Sequence, residues 1–187
     1  QRGTAVTFKR IYLEITNVCN LSCSFCPGTR RAPRFLSADE FAVLLKKLRP
    51  HGRDLYLHVM GEPLLHPDLE TLLREAEAQD FSVCLTTNGT LLPEAEEVLL
   101  RSPALRKVSV SLHSMEGNGR SDVEDYLSGV LHFADRFSGI VAFRLWNEGG
   151  ENRQNGSFLD ALSLHYGCDV TARPERCGSR KIAERRF

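Results

Sequence analysis

Three cysteines, Cys19, Cys23 and Cys26, fall within eight residues of the stretch TNVCNLSCSFCP (16–27). Thiolates are soft donors suited to zinc, copper(I) or iron–sulfur clusters. A closed structural zinc site needs a fourth ligand, and none of the six histidines lies inside this segment. Three thiolates on a four-iron cluster would leave one iron open. An open iron can hold a small molecule by its amine and carboxylate and pass it an electron.

The elements around this segment must position it. Apolar runs RIYLEIT (10–16), DLYLHVM (54–60), FSVCLTT (81–87), KVSVSLH (107–113), GIVAFRLW (139–146) and, more weakly, CDVTAR (168–173) read as strands. Between them lie amphipathic helices. Ser37-Ala38-Asp39-Glu40 is a capping box ahead of Phe41, Leu44, Leu45 and Leu48 on one face. Pro67 opens a second helix with Leu69, Leu72, Leu73 and Ala76, and Pro93 a third that runs to Leu100. Ser121-Asp122-Val123-Glu124 reads as another capping box, and a fifth helix is expected from about Ser157 to Tyr166.

Strand, helix, strand at about 30 residues per unit implies parallel strands joined by right-handed crossovers. An eight-fold barrel takes roughly 250 residues, and this chain has 187. The expected fold is therefore α/β, a partial (β/α)6 barrel of parallel strands with outer helices, or else a doubly wound sheet. In either case the site lies outside the carboxyl ends of the strands. The cysteine segment follows the first strand, GEPLLHP the second, TNGTLL the third, HSMEGNG the fourth and NEGGENRQNG the fifth. One site can collect all of these loops.

Lys and Arg number 24 and Asp and Glu 24, for a formal net charge of zero, which argues against an electrostatic grip on nucleic acid or an anionic membrane. No stretch approaches the ~20 apolar residues that span a bilayer, and no secretory signal opens the chain. Clustered thiols then point to a reducing compartment, the cytoplasm. We read residues 1–187 as one domain with its elements over about 10–173. Residues 174–187 read as a basic tail, the start of a C-terminal extension that is missing here.

The spacing Cys19-x3-Cys23-x2-Cys26, with Phe25 before the last cysteine and the loop placed after the first strand, resembles the signature of the radical S-adenosylmethionine (radical SAM) family. Met60-Gly61-Glu62-Pro63 is similar to the family's glycine–glycine–glutamate motif, with Met60 where a glycine often stands. The resemblance covers about residues 8–173. It implies a [4Fe–4S] cluster on Cys19, Cys23 and Cys26 and S-adenosylmethionine as cofactors. It also implies reductive cleavage to a 5′-deoxyadenosyl radical, which abstracts hydrogen from a substrate, and an electron donor such as flavodoxin or ferredoxin.

Further roles follow from the same resemblance. Gly61 and Glu62 would face the methionine ammonium group, Asn88 the cofactor, and Ser111 the ribose hydroxyls. Arg120 would meet the methionine carboxylate. Phe25 on one side, and Leu145 and Trp146 on the other, would pack against adenine. His113 stands where many relatives have Asp.

Plainer roles stand beside these. Gly61 serves a tight turn, Glu62 caps the helix near Pro67, Asn88-Gly89 is a turn pair, Ser111 is a strand-end hydroxyl, and Arg120 is a solvated charge. Arg30, Arg31 and Arg34 suit an anionic substrate or a reductant, or merely a solvated loop. Cys84 reads as a small buried hydrophobe, and Cys168 and Cys177 as plain thiols or the start of a lost extension. The layout is most like the branch that modifies peptides and carries SPASM or twitch extensions, so a peptide or protein side chain is the expected substrate. A small molecule or nucleoside is the alternative. A non-catalytic iron–sulfur or zinc module is the competing class.

Overall fold

The computed structural model describes residues 6–119, 122–145 and 153–170, together with the backbone of 176–177 and 180–184. Strands β1 (Ile11–Tyr12), β2 (Asp54–Tyr56), β3 (Ser82–Thr87), β4 (Leu105–Ser111) and β5 (Ile140–Leu145) alternate with helices α1 (Ala38–Leu48), α2 (Leu69–Ala78), α3 (Leu92–Leu100), α4 (Ser114–Gly117) and α5 (Val123–Arg136). Helix α6 (Asn155–Tyr166) and strands β6 (Arg176–Cys177) and β7 (Arg180–Glu184) follow. The sheet order is β1-β2-β3-β4-β5-β7-β6. Every neighbouring pair from β1 to β7 is parallel, and β6 runs antiparallel on β7. This is the expected partial barrel of six parallel strands.

The alternation along each strand decides what lies on each face. Leu55, Leu57, Val83, Leu85, Val108, Val110, Val141, Phe143 and Leu145 join the helix stripes, Phe41 and Leu45 of α1 and Leu72 and Leu73 of α2 among them, in one buried cluster. Each such side chain stabilises by about 1.5–3 kcal/mol when removed from water. The intervening residues Tyr56, His58, Cys84, Thr86, Ser109, Ser111, Ala142 and Arg144 form the inner face. The outer layer holds the sheet, and the inner layer is left polar for chemistry.

Helix α1 starts at the expected capping box, with Ser37 Oγ accepting from Glu40 N and the Glu40 carboxylate accepting from Ser37 N. Several expectations shift. The run RIYLEIT pairs as a strand only over Ile11–Tyr12, because Thr16 bridges Phe35 instead and turns the chain outward. Helix α5 begins after Asp122, which serves as N-cap without a side-chain cap bond; Ser121 lies outside the described residues. The sixth parallel strand is Arg180–Glu184, inside the stretch read as a tail. Residues 168–170 are not strand. They close the end of α6, with Cys168 N and Val170 N donating to the Ser163 carbonyl and hydroxyl. Cys168 is disulfide-bonded and so is not a plain thiol. Among the described residues no helix is long and apolar enough to cross a membrane.

Candidate functional site

The cysteine loop leaves the sheet through a tied neck. Thr16 Oγ1 donates to the Arg34 carbonyl at 3.0 Å, and Asn17 Nδ2 to the Ala32 carbonyl at 2.9 Å. Asn17 Oδ1 accepts from Arg34 N at 2.7 Å. The loop itself is open to solvent: Cys19 and Cys26 are exposed and Cys23 is half-buried, and all three are free thiols. Burial pushes the Cys19 and Cys23 thiols up, against N–H donors that pull them down: Leu21 N at Cys19 and the Asn118 amide at Cys23. Gly28 N donates to Cys26 Sγ at 3.4 Å.

The loop overhangs a cleft of about 630 Å³ at the carboxyl ends of the strands. Cys19, Cys23, Cys26, Phe25, Gly61, Glu62, Asn88 and Ser111 all line it. These are the residues that chain order alone scatters over four loops. Leu145 does not join them; it is 2% exposed, in the core. It shares the helix-side parity of Val141 and Phe143, so an adenine contact from Leu145 does not fit the strand's alternation. Arg120 and Trp146 lie outside the described residues.

Gly61 shows why a glycine stands at the strand end. Its φ is +75°, and a Cβ there would sit 2.7 Å from the carbonyl oxygens of Thr16 and Val18. The wall thus touches the root of the cysteine loop backbone to backbone. Glu62 N donates to the same Val18 carbonyl at 2.7 Å.

The Glu62 side chain is 2% exposed. Its Oε1 accepts from Leu64 N at 3.0 Å and its Oε2 from Asn88 N at 2.7 Å. It therefore caps a 3₁₀ turn over Pro63–Leu65, one turn earlier than the helix near Pro67. Burial raises its pKa, opposed by the hydrogen bonds from Asn88, Leu64 and Thr87. Each carboxylate oxygen offers two lone pairs, so these three donors do not exhaust the acceptor capacity of Glu62.

Asn88 serves the turn expected of it and also reaches the cysteine loop. Its Oδ1 accepts from Thr90 N at 2.9 Å, closing the turn, while its Nδ2 donates to Asn20 Oδ1 at 2.9 Å, beside Cys19. Phe25 is 50% exposed. Its ring lies 4.8 Å from that of His113, which is buried, held down in pKa by that burial, and bonded through Nδ1 to the Arg144 carbonyl at 3.1 Å. His113 is thus a support for Phe25. Arg31 pairs with Glu14 at 2.6 Å, and Arg34 with Glu40. Glu14 also accepts from Met60 N at 3.0 Å, tying loop to wall.

Two groups of site residues escape the sequence reading. On the cleft floor, Arg144 Nη1 donates to Thr86 Oγ1 at 3.0 Å, and Thr86 Oγ1 lies 3.0 Å from His58 Nε2. His58 is pushed down to about 4 by burial and by the Arg144 and Lys107 charges. Its Nδ1 is buried with no hydrogen-bond partner. Period-2 parity, with His58 and Thr86 both opposite to the buried leucines, is the signal that finds this pair. The second group is α4 and Asn118, which follow β4 and contact Ser22 to Phe25.

The donor set fits an iron–sulfur cluster. Three free thiols face one cleft, with N–H groups aimed at Cys23 and Cys26 sulfur. Such bonds are the usual outer support of cluster ligands. Among the described residues no three of His, Cys, Asp and Glu close up as they would around a single metal ion.

The radical SAM superfamily pattern matches residues 13–160. This chain belongs to the radical SAM superfamily. It is accordingly an enzyme of radical SAM type, the family whose cofactors are a [4Fe–4S] cluster and S-adenosylmethionine. A GTP 3′,8-cyclase of Stenotrophomonas maltophilia is 34% identical over 120 residues, 61% of this chain and 36% of that protein. A GTP 3′,8-cyclase of Lactiplantibacillus plantarum is 28% identical over 181 residues, 87% of this chain and 52% of that one. The chain thus spans about a third to a half of the curated relatives it matches. Streptococcus suis SuiB bound to S-adenosylmethionine superposes with a TM-score of 0.66 at 18% identity, over 97% of this chain and 44% of that one. BtrN in complex with AdoMet and 2-DOIA gives 0.57 at 19% identity, over 95% and 70%. At such identities these structures show the fold alone.

Proposed function

We propose that this radical SAM chain reductively cleaves S-adenosylmethionine in the cleft beneath the cysteine loop. The observation that carries this is the convergence of Cys19, Cys23, Cys26, Phe25, Gly61, Glu62, Asn88 and Ser111 on one cavity. When bound, the cluster and S-adenosylmethionine supply one-electron cleavage and a 5′-deoxyadenosyl radical that takes hydrogen from the substrate. Glu62, fixed by backbone N–H groups, accepts from the methionine ammonium as a charge-assisted hydrogen bond. Ser111 offers a hydroxyl to the ribose. Phe25, braced by His113, covers adenine; Trp146 and Arg120 are proposed to complete the adenine wall and the carboxylate contact.

For the substrate we favour a small molecule of nucleoside type. The GTP 3′,8-cyclase relatives support this, as does the ring cluster on the inner face. Tyr12 stacks on Tyr56 at 4.8 Å, and both meet His58 edge-on. A peptide or protein side chain rests only on the loop layout, and the SPASM-type extension on the same layout. The electron is proposed to come from flavodoxin or ferredoxin docking by the exposed loop, where Arg30 stands free of the pairs made by Arg31 and Arg34. The cytoplasm suits such thiols and such a donor.

The test is anaerobic reconstitution with iron and sulfide, followed by dithionite and S-adenosylmethionine, with 5′-deoxyadenosine measured and Cys26→Ala as control. Product from the parent and none from the variant supports the proposal. A loaded four-iron cluster that yields no product sinks it for this chain.

A further inference from the structure

Asn118 grips the cysteine loop from the end of α4. Its Oδ1 accepts from Ser22 N at 2.8 Å. Its two amide protons go to the Ser114 carbonyl at 2.8 Å and to Cys23 Sγ at 3.0 Å. The contact is one part of a seam. Ser24 N donates to the Gly117 carbonyl at 2.8 Å. Gly117 has no Cβ, and one placed there would sit 2.5 Å from Phe25 Cε1 and 3.2 Å from Cys23 Cβ. The loop from Ser22 to Phe25 is thus seated directly on α4, and a side-chain amide meets the sulfur of its middle cysteine.

The amide has two separable effects. Its oxygen holds the loop backbone. Its N–H faces Cys23 sulfur, where negative charge grows when a thiolate-bound cluster takes up an electron. Hydrogen bonds to ligand sulfur stabilise the reduced state more than the oxidised one, and so raise the reduction potential. The Ser114 carbonyl fixes the amide from the other side, so the donor cannot swing away without losing a second bond. We infer that Asn118 is a positioning residue that sets the reduction potential of the cluster through its Nδ2–H···Sγ bond to Cys23. The inference rests on the cluster reading of the loop given above.

Asn118→Asp separates the two effects. It keeps an oxygen for Ser22 N, removes the donor and sets an anionic oxygen against the sulfur. Asn118→Ala removes everything. Parent and variants are reconstituted anaerobically, iron per chain is measured, and the midpoint potential is read by titration followed by EPR. At a fixed potential, the ratio of reduced to oxidised cluster in Asn118→Asp is expected to fall ten-fold or more, a downward shift of at least 59 mV for one electron. The Asn118→Ala shift is smaller and in the same direction. Unchanged potentials at parental iron content overturn the inference. A parent labelled with ¹⁵N in its asparagine side chains, whose reduced cluster shows no ¹⁵N coupling in pulsed EPR, also overturns it, without recourse to any variant. Failure of the parent to assemble a four-iron cluster strikes the underlying reading instead.

Discussion

Cys19 and Cys26 stand exposed on a loop tied at its neck and along α4 by side-chain bonds, while Glu62, on the wall of the same cleft, is 2% exposed and held by backbone N–H groups. The loop brings soft donors that must meet a ligand, and ligands reach them through solvent. The wall carries a fixed charge whose position is part of the sheet. A substitution in the loop should therefore cost chemistry and leave the fold intact. A substitution in the wall should cost both.

Gly61→Ala tests the wall most severely. A side chain at φ +75° that meets two carbonyl oxygens at 2.7 Å combines backbone strain with a clash against parts that cannot swing aside. We expect a loss of about 3 kcal/mol in urea unfolding and loss of cluster loading. Cys26→Ala, in contrast, should unfold at the parental midpoint. If the two variants unfold alike, the division between loop and wall fails.

The cleft floor gives a more moderate effect, visible through pH. His58 has its ordinary value of 6.5 lowered to about 4 in the folded chain. The unfolded chain binds the proton first, so stability is fully present above about 6.5 and falls as pH drops toward 4. We expect His58→Gln to flatten this slope, by on the order of 2 kcal/mol across the window. Unfolding midpoints at several pH values check it, and parallel curves for parent and variant would rule out the buried neutral imidazole.

The smallest effect belongs to a site outside both regions. Ser37→Ala removes the α1 capping box and should cost about 1 kcal/mol. The yield of 5′-deoxyadenosine per cluster should stay at the parental level. A fall in that yield would show that the outer helices reach the site.

The helix stripes and the order of strands and loops were legible because each follows a period, 3.6 or 2, that burial enforces. That Cys19, Cys23 and Cys26 share one loop was legible from their spacing, and that Gly61, Glu62, Asn88 and Ser111 meet them at one cleft was legible from their places at strand ends. Leu145 was misplaced because position at a strand end was weighed and parity was not. Val141, Phe143 and Leu145 share one face, and that face is the core. The end of β1 was too long because Thr16 pairs with Phe35, a contact across the loop that no local pattern encodes. The strand at Arg180–Glu184 hides in a run dense with charge. Asn118 is a lone amide in a polar loop, and its role exists only once Cys23 has been brought to it.

That last contact spans 95 residues, and the neighbouring Ser22 contact 96. The chain must make and join β1 through β4 before the seat of Cys23 exists, and parallel pairings of this reach form slowly. During synthesis the three thiols emerge before their partner and wait, without it, until more than ninety further residues have followed. A loop seated only after sheet closure would take up iron and sulfide late, and until then its thiols would stand open to oxidation.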